Sequence, residues 1–449
     1  MSKQRIQLSD HFTYSRLLRF VLPCIGTMLF TSIYGIVDGL CVSNFVGKTA
    51  FAAVNLIMPL PMLLGTIGFM LGTGGSAIVG ITLGEGDQKK ADRYFTLFLL
   101  AALVSVSVLA VLGIVFLRPI AVLLGAKGEL LDYAVRYGRI LMVSLPTFAL
   151  QNMFQSFFVT AENPHLGFWF TVGAGCTNMV LDVLMVGIWG WGVEGAAIAT
   201  FISQLVGGVL PVFYFIDRSN SSRLHLCKTS FYSKVLRDAC INGSSELMTN
   251  LSMSLVNILY NYQLLRLAGE NGVAAYGVIM YAAFLFVAVF VGYAVGSAPI
   301  VSFHYGARNH TEVHNLYRKS LRLIAVVAVT LTLASMFIIP CVARIFVGYD
   351  AELLALTSRA FRLYALSFLI MGFNVYASSF FTALGDGVTS ALISFLRTLA
   401  FQVIAILLLP LLLGIDGIWL AVTAAELAAL AVSAAMLLTK DKVFHYRKA

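Results

Sequence analysis

Two aspartates in this sequence lie inside long apolar stretches, accompanied by an amide and a hydroxyl. Asp38, Asp182 and Thr200 each belong to a different stretch, and Asn178 precedes Asp182 by one helical turn. Carboxylate, amide and hydroxyl oxygens are the hard ligands that small cations prefer. Two carboxylates close together in a low dielectric can also share a proton near neutral pH. These residue types therefore predict a site for one small cation, such as sodium, or for a proton.

The elements that position these residues are predicted to be membrane-spanning helices. The chain has 449 residues, of which 59% are hydrophobic and 11% are charged. Soluble domains average about 25% charged residues, so a soluble enzyme and a disordered protein are excluded. A span needs about 20 apolar residues. Twelve spans are expected, over residues 17–43, 51–80, 94–117, 134–160, 165–188, 193–216, 238–266, 273–303, 317–341, 356–383, 388–411 and 416–438.

The depths of the polar residues in these spans agree with one another. At 1.5 Å per residue, Asp38, Asp182 and Thr200 all lie about six to eight residues below the outer ends of spans 1, 5 and 6. A carboxylate in the bilayer costs about 2.5–3.5 kcal/mol, so such groups are seldom incidental. The alternative is that each acid only hydrogen-bonds locally or faces a water-filled cavity.

The basic residues predict the orientation. With the N-terminus inside, 19 of the 30 Lys and Arg residues fall in or beside inside segments. The positive-inside rule then favours both termini in the cytoplasm. The net charge of +9 is accounted for by this topology and by anionic headgroups, so no nucleic-acid partner is expected.

The two halves of the chain partly repeat at an offset of 222 residues. Gly84 falls on Gly306, and Asn152 falls on Asn374. Six spans in each half make the repeats parallel, which is an arrangement typical of alternating-access transporters. We therefore expect an all-α integral membrane protein with an N-terminal lobe over 1–216, a linker over 217–237 and a C-terminal lobe over 238–449.

The predicted ion site is present in only one repeat. The equivalents of Asp38, Asn178, Asp182 and Thr200 are Tyr260, Ala400, Ile404 and Val422. A residue needed for the packing shared by both halves should have a counterpart. We therefore expect an asymmetric ion site in the N-terminal lobe.

The sequence resembles the MATE (multidrug and toxic-compound extrusion) family over about residues 15–440. The resemblance rests on Pro23 fifteen residues before Asp38, GTGGSAIVGITLGEGDQKKA at 72–91, Asn178-x3-Asp182, GVEGAAIAT at 192–200, and the duplicated half. It implies a V-shaped pair of six-helix lobes in the bacterial cytoplasmic (inner) membrane. It also implies export of organic cations in exchange for protons or sodium ions.

Carried over by this resemblance, the cation site falls on Asp38, Asn178, Asp182 and Thr200. Tyr137 and Asn152 would be its neighbours. Pro23 would be a hinge at which the first helix bends, since a mid-helix proline deletes one backbone hydrogen bond. The alternative for Pro23 is a static kink.

The second lobe departs from the family pattern, because the acid expected on the tenth span is not evident. Glu246 could form an ion pair with Arg397 or could contact a cationic substrate. Glu426 has similar ambiguity and could instead pair with Arg397. The candidate substrate cavity comprises Glu246, Tyr260, Asn261, Phe154, Asn374 and Tyr276, although the aromatic members could serve helix packing alone.

The sequence thus predicts a secondary active multidrug antiporter, monomeric and without a cofactor. Its partners would be small organic cations and drugs and the lipid bilayer. The alternative is a flippase for lipid-linked oligosaccharide or polyprenyl-phosphate substrates, which should show several bases in the cavity. An intramembrane enzyme is disfavoured, since it would need a catalytic His or a metal cluster inside the membrane, and His165 and His304 lie only near cytoplasmic helix ends. The choice between proton and sodium stays open.

Overall fold

The computed structural model describes residues 6–46, 48–348 and 350–447. The first five residues of the expected N-terminal lobe and the last two of the C-terminal lobe lie outside these ranges. Within them every regular element is helical, and there is no strand. The predicted all-α fold is therefore confirmed.

The described residues form sixteen α-helices and three π-helical turns. The α-helices are α1 (Tyr14–Phe45), α2 (Lys48–Ile57), α3 (Pro59–Gly84), α4 (Gln88–Leu123), α5 (Gly128–Thr160), α6 (Pro164–Asp182), α7 (Gly192–Gln204), α8 (Leu210–Ile216), α9 (Ser233–Gly306), α10 (His310–Val347), α11 (Ala351–Ala365), α12 (Phe368–Ala383), α13 (Gly387–Phe395), α14 (Phe401–Leu413), α15 (Ile415–Thr439) and α16 (Asp441–Phe444). The π-helical turns are Val183–Ile188, Leu205–Val209 and Leu396–Ala400.

Nine helical stretches of the described residues are long and apolar enough to cross a membrane, some of them formed by α-helices that continue through a π-helical turn, and the bent pair α11–α12 makes a tenth. One of the nine, α9, contains two of the predicted spans. Its 74 residues would extend about 110 Å if straight, far beyond a bilayer core of about 30 Å. It breaks at Gly269, which has φ +62° and ψ −150°, a conformation that glycine alone adopts readily.

Several helices extend past the predicted spans, because helical hydrogen bonding continues into polar sequence at the helix ends. The second-half bundle begins at Ser233, inside the segment 217–237 predicted as linker. The non-helical part of the connection is therefore 217–232. Similarly, α10 begins at His310, where Asn309 caps it by accepting from the Glu312 amide, seven residues before the predicted start.

The two halves meet where α3 crosses the second part of α9. A Cβ built on Gly84 would lie 2.0 Å from the Phe303 carbonyl oxygen, and one built on Gly306 would lie 2.0 Å from that of Ile81. These two contacts are related by the 222-residue repeat, so the crossing is itself symmetric. Glycine is required here because backbone meets backbone. The crossing forms the apex of the V.

The segment before α1 covers this apex. Leu8 and Phe12 are fully buried. The Leu8 amide donates to Glu162 of the first half, and the Phe12 amide donates to Glu312 of the second. The N-terminal segment thus joins the two halves on the face that also carries the linker.

Candidate functional site

A pair of carboxyl groups lies between α1 and α6. Asp182, the last residue of α6, is fully buried and interacts electrostatically with the carboxyl group of Asp38 on α1. Neither oxygen of Asp182 has a hydrogen-bond partner in the described ranges. Two facing carboxyl groups with no other donor need a proton or a cation between them.

A small residue on α6 lets α1 approach closely enough to form this pair. A Cβ built on Gly175 would lie 2.5 Å from Cε1 of Phe30 and 3.1 Å from Cδ1 of Tyr34, both on α1. Directly after Asp182 the helix widens into the π-helical turn Val183–Ile188. Such turns are rare and occur often at functional sites.

Two further predicted members of the site are buried with unused polar atoms. Nδ2 of Asn178 and Nδ2 of Asn152 both lack a hydrogen-bond partner among the described residues. Thr200 donates to its own helix at Ala196, 3.0 Å away, so its oxygen lone pairs stay available. These three residues lie on α6, α5 and α7, which pack against one another.

Tyr137 of α5 lies close enough to interact electrostatically with both Asp38 and Asp182. Its ring is buried, and its hydroxyl is 3.9 Å from Sδ of Met58. Tyr34 also interacts with Asp38. The sequence reasoning missed Tyr34, although its position four residues before Asp38 puts both on one face of α1.

Gln204 is a second residue that the sequence reasoning missed. It is buried, and its Oε1 lacks a partner in the described part of the chain. It lies one turn after Thr200, and at the 222-residue offset it is equivalent to Glu426 of the second half. This equivalence with a buried acid is the feature of the sequence that could have identified Gln204.

Pro23 lies inside α1, which continues as one helix to either side of it. The hydroxyl of Thr27 donates to the Pro23 carbonyl oxygen at 2.9 Å. Such a hydroxyl-to-backbone bond commonly accompanies a bend in a helix.

A cavity of about 100 Å³ lies between the two halves, which we call the central cavity. Nine of its sixteen lining residues carry hydroxyl groups, five are aliphatic, and two are charged. The lining residues are Thr73, Ser76, Ser156, Ser245, Glu246, Thr249, Val291, Ala294, Val295, Ala298, Val375, Ser378, Ser379, Thr382, Ser394 and Arg397.

A buried polar network behind this cavity holds Arg397. Its Nε donates to Oε1 of Glu426 at 3.0 Å, and Asn374 donates to Oε2 of Glu426 at 2.7 Å. Ser433 in turn donates to Asn374. Of the pairings left open by the sequence, the structure therefore has Arg397 with Glu426. Glu246 stays in the cavity lining, within electrostatic range of Arg397.

The other residues predicted for a substrate cavity lie elsewhere. Tyr260 and Tyr276 stack on each other with ring centres 4.9 Å apart, and Tyr276 donates to Asn257. Phe154 stacks against Phe215 in a buried aromatic cluster. Asn261 is exposed and Asn374 is fully buried. Among the six predicted residues, only Glu246 lines the central cavity.

The polar groups predicted for the ion site are of types that suit a small cation as well as a proton. Two unsatisfied carboxylate oxygens, the free lone pairs of Thr200 and an unsatisfied amide on Asn178 are present together in one lobe. Rotation of the Asn178 side-chain amide by half a turn would present its oxygen instead of its nitrogen to a bound cation. The arrangement is therefore chemically suited to reversible binding of sodium or a proton.

Comparison with protein families finds one match that recurs along the chain. The family model MatE matches residues 23–184 and again residues 247–408. The two matches start 224 residues apart, close to the internal offset of 222. The family match thus follows the duplication seen in the sequence.

The curated relatives are export proteins. The multidrug export protein MepA of Staphylococcus saprophyticus is 21% identical over 436 residues, covering 96% of this chain and 95% of the relative. MepA of Staphylococcus aureus is 22% identical over 433 residues, with the same coverage.

Solved structures share the whole fold. A crystal structure of a MATE protein in the straight conformation matches with a TM-score of 0.91 and 22% identity, covering all of both chains. An outward-facing multidrug resistance MATE family transporter matches with a TM-score of 0.90 and 23% identity, again over both full chains.

Proposed function

This chain belongs to the MATE family, and from that premise we propose that it exports amine-bearing organic cations and drugs by antiport with protons or sodium ions. The observation that carries the proposal is the Asp38–Asp182 pair, in which the two carboxyl groups interact electrostatically while neither oxygen of Asp182 has a hydrogen-bond partner among the described residues. The multidrug export proteins among its relatives support the substrate class.

The coupling follows from the separation of two sites. The carboxyl pair belongs to α1 and α6, whereas the central cavity is lined mainly by α9 and α12. Helix α1 packs on α6 and on α9, so a change at Asp38 reaches both halves. An ion bound at the pair and a drug bound in the cavity then bias one equilibrium between two lobe arrangements.

The same proposal includes the orientation. We place both termini in the cytoplasm of a bacterium, and the carboxyl pair in the outer half of the membrane, because the basic residues cluster on the side of the termini. The apex of the V then lies on the cytoplasmic side. The lining of the central cavity includes one basic residue, Arg397, which favours drug export over a pyrophosphate-bearing lipid.

The test is transport in proteoliposomes, with proton and sodium gradients imposed separately and a fluorescent cationic dye as substrate. We expect Asp38→Asn and Asp182→Asn each to abolish gradient-driven export. The matched control is Asp238→Asn, an aspartate near the start of α9 whose partner is the neighbouring Arg237. Coupled export at the unmodified rate in Asp38→Asn would overturn the proposal.

A further inference from the structure

The central cavity presents one negative and one positive side chain to the same small volume. Glu246 lies on α9, and Arg397 lies in the π-helical turn Leu396–Ala400. Both line the cavity and interact electrostatically with each other. A cavity built only for cations has no use for a guanidinium group, so Arg397 needs an explanation.

Arg397 is held so that only part of its guanidinium group is used. Its Nε is bound to Glu426, whose side chain is 1% exposed and is fixed from behind by Asn374. Neither terminal Nη atom has a hydrogen-bond partner in the described ranges. An anchored guanidinium with two parallel free donors suits a carboxylate, which accepts both at once.

The carboxylate of Glu246 is available to bind a positively charged group. Its carboxylate makes no hydrogen bond and no ion pair within the described chain. Among the hydroxyls that share the lining, those of Thr73, Ser76 and Thr249 donate to their own helix backbones at 2.8–3.0 Å. Their protons are committed, so they offer only lone pairs, as an ammonium group requires.

We propose that the central cavity selects zwitterionic substrates, with the ammonium group at Glu246 and the carboxylate at Arg397. This inference rests on the proposed export function and narrows its substrate class. None of the sixteen lining residues is aromatic, so the cavity offers no ring face on which a flat organic cation would gain a cation–π contact. The hydroxyl-rich lining instead supplies hydrogen-bonding groups to a polar amine and carboxylate.

The test is equilibrium binding to the purified full-length protein in detergent. The probe is ε-dansyl-lysine, whose free amine and carboxylate form a zwitterion, compared with its methyl ester, which keeps the amine and loses the carboxylate charge. Dansyl fluorescence reports both titrations. We expect the zwitterion to bind about tenfold or more tightly than the ester, as charged hydrogen bonds to Arg397 require. Equal affinity, or tighter binding of the ester, would overturn the proposal.

Variants test whether the preference for the zwitterion over the ester comes from Arg397. Removing Arg397 alone would leave Glu426 buried without its partner, so the double variant Arg397→Gln with Glu426→Gln removes both charges together. We expect it to bind zwitterion and ester alike while ester affinity stays within about threefold. Glu246→Gln should weaken both ligands. Arg397→Lys keeps the charge but loses the forked arrangement of donors, and should retain only part of the preference. A double variant that still prefers the zwitterion as strongly as the unmodified protein does would show that Arg397 does not bind the carboxylate.

Binding is measured without any ion gradient, so its outcome is independent of coupled transport. If the zwitterion binds more tightly than the ester but no ion gradient drives export, the antiport proposal is wrong and the zwitterion site is supported. If an ion gradient drives export but both ligands bind equally, the antiport proposal is supported and the zwitterion site is wrong.

Discussion

The backbone amide of Phe12 donates a 2.8 Å hydrogen bond to the carboxylate of Glu312 across 300 residues of sequence. The carbonyl of Phe12 in turn accepts from Lys319 at 2.6 Å. A few residues earlier, the Leu8 amide is bound by Glu162, which also pairs with Arg223 of the linker. The N-terminal segment is therefore fastened to both halves of the molecule at the apex of the V.

Glu312→Ala should destabilise the folded protein, because it removes the acceptor for three groups at once. The amide of Phe12, the side-chain amide of Asn315 and the ring of His11 all lose this partner. Hydrogen bonds to charged groups contribute about 1.5–3 kcal/mol each, so we expect a loss of at least about 1.5 kcal/mol in unfolding free energy. Thermal unfolding of the purified protein measures it.

The matched control is Glu352→Ala. Like Glu312, Glu352 lies in the first turn of its helix, but it is exposed. Its removal should change the unfolding free energy by less than about 0.5 kcal/mol, as for most surface substitutions. Equal Tm values for the two variants would show that the Phe12 contact adds no stability.

Gly84→Ala should disrupt the apex where the halves cross. The new Cβ would lie 2.0 Å from the Phe303 carbonyl oxygen, which is backbone and cannot rotate away. We expect the halves to separate locally, at a cost of about 1–3 kcal/mol or more from overpacking. Distances between spin labels on either side of the apex should widen and broaden.

The control is Gly173→Ala, a helical glycine of the same half whose Cβ would meet only Val206, at 3.9 Å. It should leave the label distances unchanged. A narrow, unshifted distance distribution in Gly84→Ala would contradict the close crossing.

Much of the architecture follows from the sequence, because apolar runs of membrane length and the 222-residue offset are local or one-dimensional signals. The carboxyl pair was also predictable, since an acid in an apolar run is costly and depth follows from helix rise. Asp38 and Asp182 do meet. Their roles in coupling remain predictions.

The cavity was harder to predict because its lining depends on which helix faces meet. Tyr260 and Phe154 are aromatic residues near the expected interface, yet both bury their rings against other rings. The hydroxyl groups that line the cavity carry no distinctive sequence signal, since serine and threonine occur throughout the spans. The pairing of Arg397 with Glu426 needed the relative rotation of two helices, which span positions alone do not supply.

Gly269→Ala should destabilise the protein by backbone strain alone. Its φ of +62° and ψ of −150° belong to a region that only glycine populates freely, and no atom would clash with the added Cβ. Such strain costs about 1–3 kcal/mol. Thermal unfolding should show a lower Tm than the unmodified chain.

The control for Gly269 is Gly277→Ala, in the same long helix and also with no neighbour within 4 Å. Because its backbone is helical, alanine there should stabilise by about 0.5–1 kcal/mol. Opposite signs for the two variants are therefore expected, and a Gly269→Ala protein as stable as Gly277→Ala would contradict the break.

Thr200→Val should weaken the coupling ion without unfolding the lobe. The hydroxyl of Thr200 already donates to Ala196, so valine removes only the lone pairs that would face a bound cation, or a water next to a bound proton. Losing one such contact, about 1–1.5 kcal/mol, should raise the ion concentration for half-maximal export about tenfold.

Thr177→Val is the matched control, since Thr177 donates to Gly173 in the same way and lies beside Asn178 on α6. It should change the ion requirement by less than about twofold, within the spread expected for a hydroxyl that bonds only its own helix. The same shift in both variants would mean that Thr200 acts through helix packing, and Thr200 would then be removed from the ion site.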